Sequence, residues 1–186
     1  MRLISFALAA ALACGSSELA QEVVRTADIT KRGLSASNFP RITKLADGVY
    51  AYEQIDPTKR IVTANNLIVT TSAGVLVAEG QGTVENVKRL VADIATLTPQ
   101  PIKYVVVGSE HGDHIGGDSA FPESATFIVH PFSQAAIERR IGRKAETMAD
   151  TRVIAMGGRE IRVLFLGRAH TGVFPVNCRL SPSPSC

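Results

Sequence analysis

Ser109-Glu110-His111-Gly112-Asp113-His114-Ile115-Gly116-Gly117 decides how this chain is read. Two histidines and an aspartate fall within four residues, and a glycine pair follows. Upstream, Ile102-Lys103-Tyr104-Val105-Val106-Val107 is a run of β-branched and aromatic residues of the kind that forms a buried strand. The cluster is therefore expected on a loop at the end of a core strand, where a rigid scaffold presents chemistry. Imidazole nitrogen and carboxylate oxygen are ligands that zinc accepts. Gly112 leaves the space between His111 and Asp113 unobstructed. A third histidine, His170, follows a later apolar run and can complete the shell across the fold. Two rival readings of the loop fare worse. No Lys-Ser/Thr follows Gly116-Gly117, as a phosphate-binding loop requires. Ser109 beside His111 lacks the glycine-flanked strand-turn-helix elbow of a serine nucleophile.

Working outward, strand-like runs at 42–45 and 49–54 flank the turn Ala46-Asp47-Gly48. A second pair, 66–71 and 75–79, flanks Ser72-Ala73-Gly74. Thr83 caps an amphipathic helix over 84–97, in which Val84, Val87, Leu90, Val91, Ile94 and Leu97 recur at helical spacing. Pro99 and Pro101 end it. A strand is expected at 126–130 and a helix at 134–143, whose Arg139, Arg140, Arg143 and Lys144 read as a solvated face. His130-Pro131 reads as structural. The runs 152–155 and 160–165 bracket Gly157-Gly158 as a further hairpin. Strand pairs alternating with helices predict an α/β (α+β) domain with helices covering a sheet.

The 186 residues accommodate one ordinary domain. The formal charge of +3 comes without a long basic run or aromatic–basic interleaving, which argues against a nucleic-acid partner. The opening 1–20 reads as an export signal: Arg2, then an apolar stretch from Ile4 to Ala13, too short to span a bilayer, then small residues. Ala11-Leu12-Ala13-Cys14 is also a loose lipoprotein box that would anchor the chain to a membrane through Cys14. Localisation is thus expected to be exported, periplasmic or secreted. Residues 21–40 read as a linker, 41–172 as the domain, and 173–186 as an irregular tail containing Ser181-Pro182-Ser183-Pro184-Ser185. Cys178 and Cys186 either pair in an oxidising compartment or are incidental.

The segment Ser109–Gly117 resembles the His-x-His-x-Asp-His-x-Gly-Gly signature of the metallo-β-lactamase superfamily. Gly167-Arg168-Ala169-His170-Thr171-Gly172 resembles its later histidine element. The opening strands around Leu45–Tyr50 and Asn66–Val69 are similar too. The resemblance implies an αββα sandwich and one or two zinc ions with a bridging hydroxide. It implies a hydrolase acting on a small-molecule carbonyl substrate of β-lactam, lactone or thioester type. His111 and His170 match ligands of one metal, Asp113 and His114 ligands of the other. Asp113 also matches the residue that orients the attacking water and protonates the leaving group. The chain departs from the pattern in two ways. Ser109 stands in place of the first histidine, and beyond His170 neither a bridging aspartate nor a later histidine follows. The ligand set His111, Asp113, His114 and His170 thus suffices for one zinc at most. The expectation is a C-terminally truncated or frameshifted member, with a non-catalytic fragment of weak or no metal binding as the alternative function.

Overall fold

The computed structural model describes residues 26–56, 63–167 and, as backbone alone, 176–182. The signal read at 1–20, Cys14, His170 and Cys186 lie outside them, as does the side chain of Cys178.

Seven strands form one mixed sheet in sequence order: β1 (Arg41–Ala46), β2 (Val49–Ile55), β3 (Thr63–Thr71), β4 (Gly74–Ala78), β5 (Ile102–Val106), β6 (Thr126–Val129) and β7 (Glu146–Thr147). The first four pair antiparallel through hairpins. From β4 onward the pairs are parallel. Parallel neighbours need crossovers, and helices α1 (Val84–Leu97) and α3 (Gln134–Ile141) supply two of them. A second, three-stranded sheet holds β8 (Thr151–Met156), β9 (Arg159–Phe165) and β10 (Val176–Pro182), in the order β10-β9-β8.

The period-2 alternation of the central strands gives the large sheet two apolar faces. Val75, Val77, Val105, Phe127 and Val129 pack with Val87, Leu90 and Ile94 of α1 and Ile137 and Ile141 of α3. Leu76, Val106 and Ile128 face the other way, onto Ile154, Met156, Ile161 and Val163 of the second sheet. The described layers are thus helix, sheet, sheet, the opening three of the expected αββα sandwich. The Thr83 hydroxyl accepts from the Asn86 amide at 3.2 Å, as the sequence predicts for the start of α1. The Tyr52 hydroxyl, on a fully buried ring, donates to Asp93 Oδ2 at 3.1 Å and ties that helix to the sheet. Gly157 and Gly158 both have positive φ, +56° and +76°, as the two-residue turn joining β8 to β9 demands.

Three expectations are corrected. Part of the supposed linker is tied to the domain. Ile29 is buried, the Ala27 carbonyl accepts from Thr63 N at 3.2 Å, and Arg32 makes a two-pronged ion pair with Glu53. The tail supplies a strand, β10, in register with β9 from Val176↔Phe165 to Pro182↔Arg159; backbone pairing with a neighbouring strand does not need an apolar sequence. Arg143 does not belong to a solvated face. Its guanidinium donates to the carbonyls of Pro122 and Phe121 at 2.8 and 3.3 Å and lies over the Phe127 ring, because the loop before β6 leaves those carbonyls without strand partners.

Candidate metal centre

β5 ends at Val106. Val107 still bonds to Ile128 of β6 at 3.0 Å, and the chain then leaves the sheet. His111 precedes a single helical turn, α2 (Gly112–Ile115), and its carbonyl accepts from the amides of His114 and Ile115, both at 3.0 Å. The predicted residues His111, Asp113 and His114 therefore sit on or beside one turn at the carboxyl end of a parallel strand, where open α/β sheets place their ligands. All three side chains are half-buried.

What holds this turn is a residue to which the sequence reading assigned no role. Glu79 closes the 75–79 run, one residue past β4. Its Oε2 accepts from Gly108 N at 2.7 Å and Ser109 N at 2.8 Å, and its Oε1 meets Nδ1 of His114. One carboxylate thus fixes the loop backbone and the imidazole orientation. A histidine that gives its Nδ1 proton to a carboxylate keeps the Nε2 lone pair for a metal, the arrangement usual around metal-bound histidines. The one sequence signal was a carboxylate at the end of an apolar strand, immediately before the break Gly80-Gln81-Gly82.

Glu79 is itself held. The Asn66 side-chain amide donates to the carbonyls of Glu79 and Gly80, and buried Gln81 donates back to Asn66 Oδ1. The glycine pair seats α2 on this turn. Gly117 N donates to the Gln81 carbonyl at 2.8 Å. A Cβ at Gly116 would lie 2.1 Å from the Gly82 carbonyl, and one at Gly117 would lie 2.0 Å from that of Thr83. The glycines serve close packing of two backbones.

The donor types suit zinc, yet among the described residues no group of three or more His, Cys, Asp or Glu side chains converges to hold an ion. Ser109, at the place of the resembled family's first histidine, has its hydroxyl turned to His111 N, accepting at 3.3 Å. The fourth expected ligand, His170, lies outside the described residues. Taken alone, His111, Asp113 and His114 share one turn but do not converge as a three-ligand group.

Behind α2 lies Asp118, which the sequence reading did not single out. It is fully buried, and neither carboxyl oxygen has a hydrogen-bond partner among the described residues. It fits only because its neighbour is Gly80, where a Cβ would come within 1.5 Å of Oδ1. Burial, and then the charge of Glu79, hold its carboxyl well above the usual carboxylate range, while Arg143, Arg140 and His114 pull the other way. The folded chain therefore keeps this proton at pH values where the unfolded chain has lost it. Stability falls as pH rises from about 4 through the raised folded-state value. Asp118→Asn keeps the shape and removes the titration. It should stabilise the fold near pH 8 by about 1–3 kcal/mol and flatten the decline of the thermal midpoint between about pH 5 and 8. A midpoint in the variant that still falls with pH as in the parent would contradict this origin.

No protein-family model matches the chain, and no curated protein matches it. Solved structures do. A metallo-β-lactamase from Pontibacter korlensis superposes with a TM-score of 0.62 at 23% identity, over 72% of this chain and 64% of that one. A metallo-β-lactamase from Erythrobacter litoralis, with β-mercaptoethanol in its active site, gives 0.56 at 21% identity, over 76% and 65%. A flavoprotein from Thermotoga maritima gives 0.59 at 14% identity, over 75% of this chain and 39% of its own. The fold is that of the metallo-β-lactamases. The chain spans less than two thirds of the length of each of these structures.

Proposed function

We propose that this chain is a hydrolase of metallo-β-lactamase type that holds one zinc through His111, Asp113, His114 and His170 and opens a carbonyl substrate, a β-lactam, lactone or thioester. The observation that carries the proposal is the Glu79–His114 contact at the carboxyl end of β4 and β5: a carboxylate beside Nδ1 favours the proton there, which would leave Nε2 for a metal. Zinc, when bound, lowers the pKa of a coordinated water to about 7. The chain's own part is to orient His114 through Glu79 and to present Asp113. In hydrolysis the water oxygen bonds to the carbonyl carbon and the acyl–heteroatom bond breaks. Asp113 takes a proton from the water and passes it to the leaving group. Export through the segment 1–20, with or without lipid on Cys14, belongs to the same proposal.

The second reading is a fragment that does not catalyse. Ser109 in place of an imidazole and the absence of a converged three-ligand group among the described residues favour it.

Zinc content after exhaustive dialysis, beside an Asp113→Ala control, separates the two. About one zinc per chain, lost in the control, is expected of the hydrolase. Zinc no higher than in the control would leave the remnant reading standing.

A further inference from the structure

The amino end of β3 projects past the strand beside it. Its pairing with β4 stops at Leu67↔Ala78, whereas its pairing with β2 runs on to Ile55↔Thr63. Residues 63–66 therefore lie beyond the end of β4, at the edge from which Glu79 leaves. A strand end that has lost a neighbour frays unless other groups take its donors and acceptors.

The segment 26–34 supplies such groups. It is closed on itself as a turn. Asp28 Oδ1 accepts from Thr30 N at 2.9 Å and Lys31 N at 3.3 Å, and Leu34 N donates to the Ile29 carbonyl at 2.9 Å. Gly33 provides the positive φ, +67°, that the turn uses. The turn buries Ile29 and carries Arg32 to β2.

Three contacts then meet at one place. The Ala27 carbonyl accepts from Thr63 N at 3.2 Å, and the Thr63 hydroxyl donates to Glu53 Oε1 at 2.7 Å. Arg32 donates to both oxygens of Glu53, reaching Oε2 at 2.9 Å. The Glu53 and Arg32 side chains are only 13% and 21% exposed, so this two-pronged pair is worth more than a surface ion pair. Arg41 stands farther from Glu53, at 3.8 Å.

From Thr63 the contacts continue to the candidate metal centre. Three residues along β3, Asn66 donates to the carbonyls of Glu79 and Gly80, and Glu79 accepts from Gly108 N and Ser109 N. We infer that 26–34 is a strap, and that Arg32 and Glu53 are positioning residues. They hold the turn bearing His111, Asp113 and His114 through Thr63, Asn66 and Glu79. Zinc and hydrolysis are not needed for this role.

Amide hydrogen exchange of the full chain, followed by NMR with a chelator present, tests the strap without any metal. In Arg32→Ala the Thr63 amide should exchange about tenfold faster or more, because a charge-assisted anchor is lost. The Gly108 and Ser109 amides should exchange about threefold faster or more. Ile161, in the second sheet, should stay within about twofold of the parent. Arg32→Lys keeps the charge but not the fork, and should fall between the two. If Arg32→Ala does not fold, the same pattern is read from Arg32→Lys. Faster exchange at Thr63 with Gly108 and Ser109 unchanged would show a strap with no hold on the site, and would overturn the inference. An equal rise at Ile161 would reduce the effect to general loss of stability and overturn it too. An unchanged Thr63 would mean that the ion pair does not fasten the strap. Each of these results leaves the zinc reading to its own measurement.

Discussion

Glu79→Gln should lower the zinc affinity proposed for this chain by roughly tenfold to a hundredfold in a chelator competition, the range typical when the partner of a metal-bound histidine is lost. The carboxylate accepts from two backbone amides of the loop, and its other oxygen lies against Nδ1 of His114. Glutamine has nearly the same shape, but it is neutral, and one of its two terminal groups is a donor. If its oxygen stays with Gly108 and Ser109, its NH2 faces His114 Nδ1. The imidazole must then present a lone pair there and carry its proton on Nε2, the nitrogen a metal would need. Glu79→Ala goes further, leaving both loop amides without an acceptor. It should cost about 1–3 kcal/mol in urea unfolding even without metal. Glu79→Gln with unchanged zinc affinity would mean that His114 is not a ligand. Glu79→Ala with unchanged stability would mean that the loop does not hang from this carboxylate.

Gly117→Ala should be among the most damaging small substitutions in the chain, costing about 3 kcal/mol or more. A Cβ there meets Thr83 O at 2.0 Å, Thr83 C at 2.3 Å and Val84 N at 2.8 Å, all of them backbone at the start of α1. No side chain can rotate away. Either α1 moves off the sheet, disturbing Val87, Leu90 and Ile94 in the core, or α2 lifts and the Gly117–Gln81 bond breaks. Gly112→Ala is the matched control, because nothing lies within 4 Å of a Cβ at that position and its stability should change by no more than about 0.5 kcal/mol. Urea midpoints of the two variants decide the matter. Equal midpoints would show that the seam between 80–84 and 116–118 is soft, and that the second glycine of the pair is not kept for packing.

The local elements were legible because they rest on local physics. Apolar residues at helical spacing marked α1, and the Thr83 cap marked its start. A run of β-branched and aromatic residues marked the central strand β5, and Gly157-Gly158 marked the hairpin between β8 and β9. The composition of the tail was misleading. Ser181 and Pro182 cannot build a core, but β10 needs only backbone pairing with β9. Arg143 was misread for a related reason. A helical basic cluster is usually solvated, and no local pattern reports that the carbonyls of Phe121 and Pro122, some twenty residues earlier, face its guanidinium.

By itself the sequence determined which chemistry is available and where: two imidazoles and a carboxylate on one glycine-flanked turn after a buried strand, because ligand type and short spacing are local properties. It also determined the resemblance to the metallo-β-lactamases, which the solved structures bear out as fold. Only the tertiary structure decided how that turn is held and what surrounds it. Glu79 reaches Ser109 and His114 across 30 and 35 positions, Asp118 lies against Gly80, and Phe165 stacks on His130. Those contacts join strands that are distant in the chain. They exist because parallel strands bring their carboxyl ends to one edge, a consequence of topology that no window of sequence contains.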